Sequence, residues 1–202
     1  MFYEPEKNNH GLPYNPFKAI VSPRPIGWIS TVDNQGRANL APYSFFNGVS
    51  AMPPMIGFAS SGNKAGIDEA KDSLRNIVET GEFCVNIVSY ALRDEMNISS
   101  GHYPHGADEF EMAGLTKQAG NIVRAPMVKE SPISMECTLF STTDLPGGTT
   151  WVIGNVVGIH IADEHIKDGI LDVTSYQPVA RLGYKDYSVV TELFSLDRPD
   201  QK

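Results

Sequence analysis

Apolar and polar residues alternate with a period of two through much of the chain, which is the spacing of a β-strand. β-Branched and aromatic residues dominate "IGWISTV", from Ile26 to Val32, and the turn signal "DNQG" separates this segment from "RANLAPYSFF". This pair predicts a β-hairpin. Further strands are predicted for "MIGFASS", "FCVNIVS", "ISMECTLFST", "TTWVIGNVVGIHIAD" and "VARLGYKDYSVV". The turn "DLPGG" joins the third and fourth of these as a second hairpin.

One segment changes to the helical period. "KDSLRNIVETGEF" places Leu74, Ile77 and Val78 on one face, offers Asp72 and Ser73 as N-terminal caps, and stops at Gly81. This pattern predicts a short helix. "YALRDEMNISSG" and "DEFEMAGLTKQAG" predict shorter helices or irregular excursions. Many strands, short turns and few helices favour a mainly β fold, an antiparallel barrel with a few short peripheral helices, over a doubly wound one.

Composition narrows the class of protein. The chain has 202 residues, and we expect one domain over 1–202 with its core from about residue 17 to about residue 190. The formal net charge is −8 and no Lys/Arg cluster is present, so nucleic acid is not an expected partner. Cys84 and Cys137 lie in apolar segments and are expected to be buried free thiols. With neither a signal peptide nor an apolar run of 18 residues, a cytoplasmic protein without membrane contact is expected.

Several common chemistries lack their motifs. The dinucleotide fingerprint G-x-G-x-x-G and the phosphate loop G-x-x-x-x-G-K-[ST] are both absent from the sequence. "NGVSAM" lacks the second glycine of a nucleophile elbow. The histidine pairs His102/His105 and His160/His165 have no ligand frame around them, so no metal is expected. The carboxylates of "GADEFE" are better interpreted as a solvated acidic loop than as general acids or bases.

A set of small polar residues remains, and it suits a flat, phosphorylated cofactor. Ser30, Thr31, Ser44 and Asn47 interrupt apolar runs and are candidate donors to the edge of a flavin ring. The helix start at "KDSLRN" can bind the 5′-phosphate through Ser73, the first-turn amides and Lys71. Ser73 as a helix cap alone remains an alternative. Arg24 is expected in a surface or interface ion pair.

Two glycines in the predicted strand "WVIGNVVGIHI" leave two interpretations open. Gly154 and Gly158 fall at a period of two on the same strand. Glycine weakens a strand, and it is often kept where a ligand or another backbone approaches closely. A bend or bulge of a barrel explains the same two residues equally well.

The longest motif identifies a resemblance. "PRPIGWISTVDNQGRANLAPYSFFNGVSAMPPMIGFAS", followed by "KDSLRNIVETGEFCVNIVS", resembles the flavin reductase-like family of the FMN-binding split barrel. The similarity extends over about residues 17–190 and includes "ECTLF", "GNVVGIHI" and "RLGY". It implies an antiparallel Greek-key barrel and a homodimer that binds FMN near the subunit interface, chiefly through backbone and small polar groups.

The resemblance also assigns candidate site residues. Ser30 and Thr31 match strand-end hydroxyls that face the flavin and tune it. The residues that match the ring and ribityl segment are Ala41, Pro42, Tyr43, Ser44 and Phe45, although Tyr43 and Phe45 could equally be core aromatics. The residues that match the phosphate segment are Ser60, Lys71, Asp72, Ser73 and Asn76. His160 and Tyr184 align with positions that approach the nicotinamide or flavin in some relatives, and His160 is a candidate catalytic residue with Ser30 and Thr31.

The activity implied by the resemblance is hydride transfer from NADH or NADPH to FMN. The electrons would then pass to free flavin, a ferric complex, oxygen or a partner monooxygenase. Such a reaction needs no catalytic triad, because the flavin itself performs the redox chemistry. An FMN-binding electron carrier or sensor without nicotinamide activity is the alternative, and a split-barrel interaction protein without flavin is a third.

Overall fold

The computed structural model describes residues 1–62, 71–104 and 106–199. Its strands are β1 Arg24–Pro25, β2 Gly27–Val32, β3 Ala38–Tyr43, β4 Phe46–Ala51, β5 Pro54–Ser61, β6 Glu82–Ile87, β7 Lys117–Gln118, β8 Met127–Val128, β9 Ile133–Leu145, β10 Thr149–Ile161, β11 Ile166–Lys167, β12 Ile170–Leu171, β13 Val179–Arg181 and β14 Tyr187–Val189. Its α-helices are α1 Phe17–Ile20, α2 Asp72–Thr80, α3 Arg93–Ser99, α4 Glu109–Ala113 and α5 Val173–Tyr176. Short 3-10 turns lie at Pro5–Lys7, Tyr90–Leu92 and Asp163–His165.

Seven antiparallel strands form a closed barrel. Their order in the sheet is β3, β2, β6, β9, β10, β5, β4. The first and last strands of this order, β3 and β4, are consecutive in the chain, and only Ser44 and Phe45 separate them. The Ala59 amide of β5 donates to the Phe45 carbonyl at 2.8 Å, and β3 lies in contact with β5. The two edges of the sheet therefore meet, and the predicted antiparallel barrel is confirmed.

Both predicted hairpins are present. Strands β2 and β3 pair from Gly27↔Tyr43 to Val32↔Ala38. The Asp33 carboxylate orders their turn by accepting from the amides of Gln35 and Arg37, at 2.8 and 2.9 Å. Strands β9 and β10 form the second hairpin, with 13 residues each and two register shifts.

The inside of the barrel is one apolar cluster. Ile29, Phe58, Phe83 and Val152 are fully buried within it. A buried side chain of this size contributes about 1.5–3 kcal/mol relative to its exposed state. Helix α2 packs on this cluster through Ile77, and Gly81 ends the helix with φ 75°.

The buried face of α2 differs from the predicted one. Its buried residues are Ser73, Asn76 and Ile77, whereas Val78 is exposed. The prediction for Val78 is therefore wrong. Helix α2 rests partly on polar groups of the barrel, so the apolar residues alone did not define its contact face.

A second layer covers the outside of β2 and β3. Helices α3 and α4 contribute Met96 and Phe110 to a cluster that contains Trp28 and Leu40. The Trp28 indole donates to the Ser99 hydroxyl at 2.8 Å. Because β2 is covered on both faces, all six of its residues are buried. A three-stranded sheet, β1–β13–β14, lies apart from the barrel sheet.

Both cysteines are free and buried, as predicted. Burial raises the pKa of the Cys84 and Cys137 thiols, with nearby ionisable groups adding to the effect. Neither thiol is therefore a reactive thiolate. Among the helices of the described ranges, none is long and apolar enough to cross a membrane.

Candidate functional site

The start of helix α2 lacks a side-chain cap. Lys71 is the N-cap residue, and within the described residues no side chain caps the first-turn amides. The predicted caps are wrong: Asp72 pairs with Arg75, and the Ser73 hydroxyl donates to Asn39 Oδ1 at 2.6 Å. First-turn amides and the helix dipole together favour an anion at this end. Residues 63–70, which precede Lys71, lie outside the described residues.

A buried tyrosine hydroxyl faces the same region. Tyr43 is only 6% exposed, and its hydroxyl has no hydrogen-bond partner within the described ranges. The Ser60 and Ser73 hydroxyls are its neighbours, although neither meets hydrogen-bond geometry with it. Burial raises the pKa of Tyr43, and these two hydroxyls oppose that rise. An unpaired buried hydroxyl costs about 1–3 kcal/mol, which a ligand oxygen could recover.

Lys71 adds a positive charge beside Tyr43. Its Nζ lies 5.7 Å from the centroid of the Tyr43 ring. Burial lowers the pKa of Lys71, and the nearby Lys18 lowers it further. An anion near Lys71 would offset both effects, because an opposite charge favours the charged form of an amine.

A buried polar network fixes the Ser73 side chain. Glu109 is buried and accepts from Asn39 Nδ2, with both oxygens at 3.0 Å, and from the Leu40 amide at 3.0 Å. The Asn39 Oδ1 atom is thereby directed to Ser73, which donates its only hydrogen to it. Ser73 can offer a ligand lone pairs but no proton, so it is not a hydrogen-bond donor to an anion.

The "GADEFE" carboxylates are not a solvated loop. Burial raises the pKa of Glu109, while its bonds to Leu40 and Asn39 oppose that rise. Asp108 is the N-cap of α4 and accepts from the Phe110 amide at 3.1 Å. The prediction of a solvated acidic loop is wrong, because this acidic segment forms the start of helix α4. The helix packs on β3, and the Glu109 carboxylate points into the protein.

Ser30 and Thr31 use their hydroxyls inside the protein. Both are fully buried. Ser30 Oγ donates to the Pro126 carbonyl at 2.5 Å and accepts from Asn86 Nδ2 at 3.1 Å. Thr31 Oγ1 accepts from Asn76 Nδ2 at 3.0 Å. The prediction that these side chains face a flavin does not hold in the structure, because β2 is covered on both faces.

The segment that links β3 to β4 borders an open groove. Pro42 and Ser44 line a cavity of about 170 Å³. Ala41 and Phe45 are half-buried, and the Phe45 ring lies 5.5 Å from the Arg24 guanidinium carbon. Asn47 is exposed on β4, and its Oδ1 accepts from the Gly48 amide at 2.9 Å.

His160 and Tyr184 lie in different surroundings. His160 lines a separate cavity of about 230 Å³, together with Lys129 and Ser134, and that cavity shares no lining residue with the groove at Ser44. Tyr184 is half exposed, and its ring lies 5.8 Å from that of Tyr14. The structure does not bring His160 to the predicted catalytic hydroxyls.

His160 instead contacts a buried carboxylate that the sequence analysis missed. Glu136 is fully buried, and its Oε1 lies 2.6 Å from His160 Nε2. It also accepts from the amides of Asn121, Ile122 and Val123, at 2.7–2.9 Å. Burial alone would raise the pKa of Glu136, but these four donors hold it at about 2. The only signal in the sequence was a charged residue inside the apolar strand "ISMECTLFST".

Packing inside the protein accounts for the two strand glycines. A Cβ on Gly154 would lie 2.5 Å from the Phe83 ring, and one on Gly158 would lie 3.2 Å from Ile122 and 3.3 Å from Glu136. Register shifts of β10 against β9 occur at both positions. Of the two interpretations, the structure supports the barrel bend, since no cofactor is needed to explain either glycine.

Among the described residues, Arg24 has no ion-pair partner. It is only 5% exposed and donates to the carbonyls of Lys18, Val21 and Leu182. It lies on β1 directly opposite Arg181 of β13. Among the residues the structure describes, no cluster of three or more potential metal ligands occurs, and His105 of the histidine pair lies outside them.

Comparison with known proteins decides the family. A model of the flavin reductase like domain matches residues 21–182. The chain belongs to this family. An uncharacterised relative from Halalkalibacterium halodurans is 37% identical over 184 residues, which cover 89% of this chain and 87% of the relative.

Two solved structures are similar to this flavin reductase-like chain over nearly their whole lengths. Nitrilotriacetate monooxygenase component B from Bacillus cereus has a TM-score of 0.87 and 30% identity, covering 97% of this chain and 98% of that one. The 2-nitrobenzoate 2-nitroreductase of Pseudomonas fluorescens has a TM-score of 0.85 and 26% identity, covering 100% and 98%. The fold prediction and the family resemblance are thereby confirmed.

Proposed function

We propose that the protein is an FMN-binding oxidoreductase that uses NADH or NADPH as its electron donor. The observation that carries this proposal is the buried hydroxyl of Tyr43, which has no hydrogen-bond partner among the described residues, beside an α2 start that no described side chain caps. A hydroxyl, first-turn amides and the Lys71 ammonium together form the donor set that a phosphate monoester needs. Membership of the flavin reductase-like family supports the 5′-phosphate of FMN as the phosphate in question.

The residues present fit FMN in two regions. The α2 amides and Lys71 would hold the phosphate, with Tyr43 and Ser60 as hydroxyl partners. Pro42 and Ser44, which line the open groove, would lie along the ring, together with Phe45, which follows Ser44 in the chain. When bound, FMN supplies a ring nitrogen that accepts a hydride and passes the electrons on. The protein's part is to hold the phosphate, orient the ring and keep one ring face open to the donor.

The similarity to a monooxygenase component supports an oxygenase as the electron acceptor. At 30% identity over 97% of the chain, the Bacillus cereus protein is a relative whose name assigns it to such a system. Reduced flavin would then leave or be handed to a partner. The 2-nitrobenzoate nitroreductase favours a second candidate, in which a small aromatic molecule is the acceptor.

We also propose that the protein is a homodimer. Exposed apolar side chains lie along the β9–β10 hairpin, at Phe140, Val157, Ile159 and Ile161. Several exposed apolar side chains on one hairpin are consistent with an interface between subunits. A second copy of this chain would bury these side chains, and the flavin near this interface would be shielded from water.

A comparison of FMN with riboflavin tests the cofactor site, because the two ligands differ only in the phosphate. We expect Lys71→Gln to weaken FMN binding at least tenfold, a loss of about 1.4 kcal/mol or more, and to leave riboflavin affinity within twofold. Fluorescence titration of apoprotein with each flavin measures both constants. Lys185→Gln is the matched control, since it removes one exposed positive charge from the β13–β14 loop.

The titration can contradict the proposal in two ways. If FMN and riboflavin bind wild-type protein equally well, no phosphate site exists at α2. If Lys71→Gln and Lys185→Gln weaken FMN to the same extent, the effect is one of net charge, and the assignment of Lys71 fails.

A further inference from the structure

A groove extends from the proposed flavin ring site to α3. The cavity at Pro42 and Ser44 shares Met96, Asn97 and Tyr187 with a second cavity of about 320 Å³. Together the two cavities fall within the size of a small-molecule site, which is typically about 300–1,000 Å³. The proposed contacts to FMN use only the end at Ser44, so the rest of this groove has no assigned ligand.

Two arginines, Arg24 and Arg181, place positive charge at this groove. Arg24 and Arg181 lie directly opposite each other across β1 and β13, an arrangement that repels. In the described part of the chain, neither of them contacts a carboxylate. Burial lowers the pKa of Arg24, and the charge on Arg181 lowers it further. Arg24 Nε is also buried without a hydrogen-bond partner among the described residues.

Arg181 is the member of this pair that a ligand can reach. It lines the cavity at Ser44, whereas Arg24 is buried behind it. Its guanidinium bonds the Tyr187 hydroxyl and the Tyr184 carbonyl, and it lies 4.5 Å from the Tyr187 ring centroid. These contacts fix its position and leave its charge uncompensated. In a protein with a net charge of −8, two facing arginines that no described carboxylate contacts favour an anionic ligand.

The walls of the larger cavity suit a flat ring. Tyr90 and Tyr187 line it with the apolar side chains of Met96, Val179 and Val189. One carboxylate, Asp94, also lines it, but Arg93 lies 3.2 Å away and balances that charge. Tyrosine rings bind aromatic ligands by stacking or edge contact.

We propose that this groove is a binding site for an aromatic anion, whose ring lies between Tyr90 and Tyr187 and whose anionic group lies on Arg181. The proposal rests on the proposed function, since it names the class of the second ligand that reaches the flavin. Two sources share this chemistry. One is the adenosine phosphate half of the nicotinamide donor, and the other is an aromatic carboxylate that serves as acceptor.

Calorimetric titration with two probes tests the site and separates the sources. Adenosine 5′-monophosphate stands for the donor and benzoate stands for the acceptor. We expect at least one probe to bind wild-type protein, and we expect Arg181→Gln to weaken that binding at least tenfold. Tyr90→Ala removes an aromatic side chain that lines the larger cavity and should weaken binding at least threefold. Lys185→Gln, with the same change in net charge, should stay within twofold of wild type.

Each outcome has a defined meaning. Binding of the nucleotide alone assigns the groove to the donor, and binding of benzoate alone assigns it to an acceptor. Binding of both supports the shared chemistry. If neither probe binds at millimolar concentration, or if neither Arg181→Gln nor Tyr90→Ala weakens binding while both variants retain a wild-type melting transition, the proposal is overturned.

The titration does not depend on flavin binding. Calorimetry detects the probe directly, and it can be run on the apoprotein and on FMN-saturated protein. If the probe binds through Arg181 while no flavin binds, the proposed function fails and this site stands. If flavin binds through Lys71 while no probe binds, the aromatic-anion site fails and the proposed flavin site stands.

Discussion

Glu136 is a buried carboxylate that orders the chain segment above it. Three consecutive amides, from Asn121 to Val123, and His160 all point to its two oxygens. Charge-assisted bonds of this kind are stronger than neutral ones, and they satisfy the backbone of a segment that has no strand partner. The sequence analysis assigned no role to Glu136. We infer that it stabilises the segment around residues 121–123 against β9.

This role predicts a specific loss of stability in acid. The pKa of Glu136 is about 2 in the folded protein, below the ordinary value of 4.5. Its contribution is therefore complete above pH 4.5 and is lost as the pH falls towards 2. A difference of this size corresponds to roughly 3 kcal/mol. Glu136→Gln should remove a similar amount at pH 7 and flatten the decline between pH 5 and pH 3.

Urea unfolding at pH 7, 5 and 3 measures this effect. Glu164→Gln is the control, because Glu164 is an exposed carboxylate in the turn after β10. If wild type and Glu136→Gln lose the same free energy of unfolding between pH 5 and pH 3, the carboxylate does not act in this way.

The sequence predicted which polar residues are unusual better than it predicted where their side chains point. Polar interruptions of apolar runs marked Ser44 as unusual, and Ser44 borders the groove. Ser30 and Thr31 carried the same signal for a different reason, since they bond Pro126 and Asn76 inside the protein. A sequence pattern cannot separate these cases, because both faces of β2 are covered by elements distant in the chain.

The β9–β10 hairpin is the element that we expect to hold two subunits together. Its two long strands exceed the length needed to close the barrel wall, and their apolar residues include Phe140, 62% exposed, and Ile159, 56% exposed. Burying two such side chains contributes about 1.5–3 kcal/mol each. The hairpin itself was predictable from its period and its turn, but its exposed apolar residues were not, because strand periodicity does not report the burial of each face.

Charged substitutions on this hairpin should dissociate the dimer. We expect wild type to sediment as a dimer, and we expect Phe140→Asp with Ile159→Asp to raise the dissociation constant at least 100-fold, about 2.8 kcal/mol. Thr143→Asp adds a charge at an exposed polar position of β9 and should remain dimeric. A monomeric wild type, or a double variant that sediments as wild type does, would contradict the interface.

At the level of whole elements, hairpins and helices were predictable, but the closure of the sheet was not. "RANLAPYSFF" was predicted as one strand, and the structure divides it at Ser44 and Phe45 into β3 and β4. This bend lets one chain segment close both edges of the barrel. The bend also places Ser44 at the mouth of the groove, so the same local irregularity serves the fold and the proposed site.

The whole molecule combines a rigid barrel with a site built at its edge. The core of the barrel accounts for most of the alternating pattern in the sequence. The proposed ligands instead use the start of α2, the β3–β4 bend and the paired arginines of β1 and β13, which come from four separate parts of the chain. The topology of the sheet brings these distant segments together. The family resemblance therefore identified the segments of the proposed site, and the structure was needed to show which of their side chains face it.

The most direct test of the account is an anaerobic visible spectrum. Purified protein is loaded with FMN, freed of unbound flavin, and treated with NADH and then with NADPH in the absence of oxygen. We predict that the protein retains flavin absorption bands and that at least one nucleotide bleaches them rapidly. Retained flavin that neither nucleotide bleaches would contradict the reductase activity, and a protein that retains no flavin would contradict the cofactor site itself.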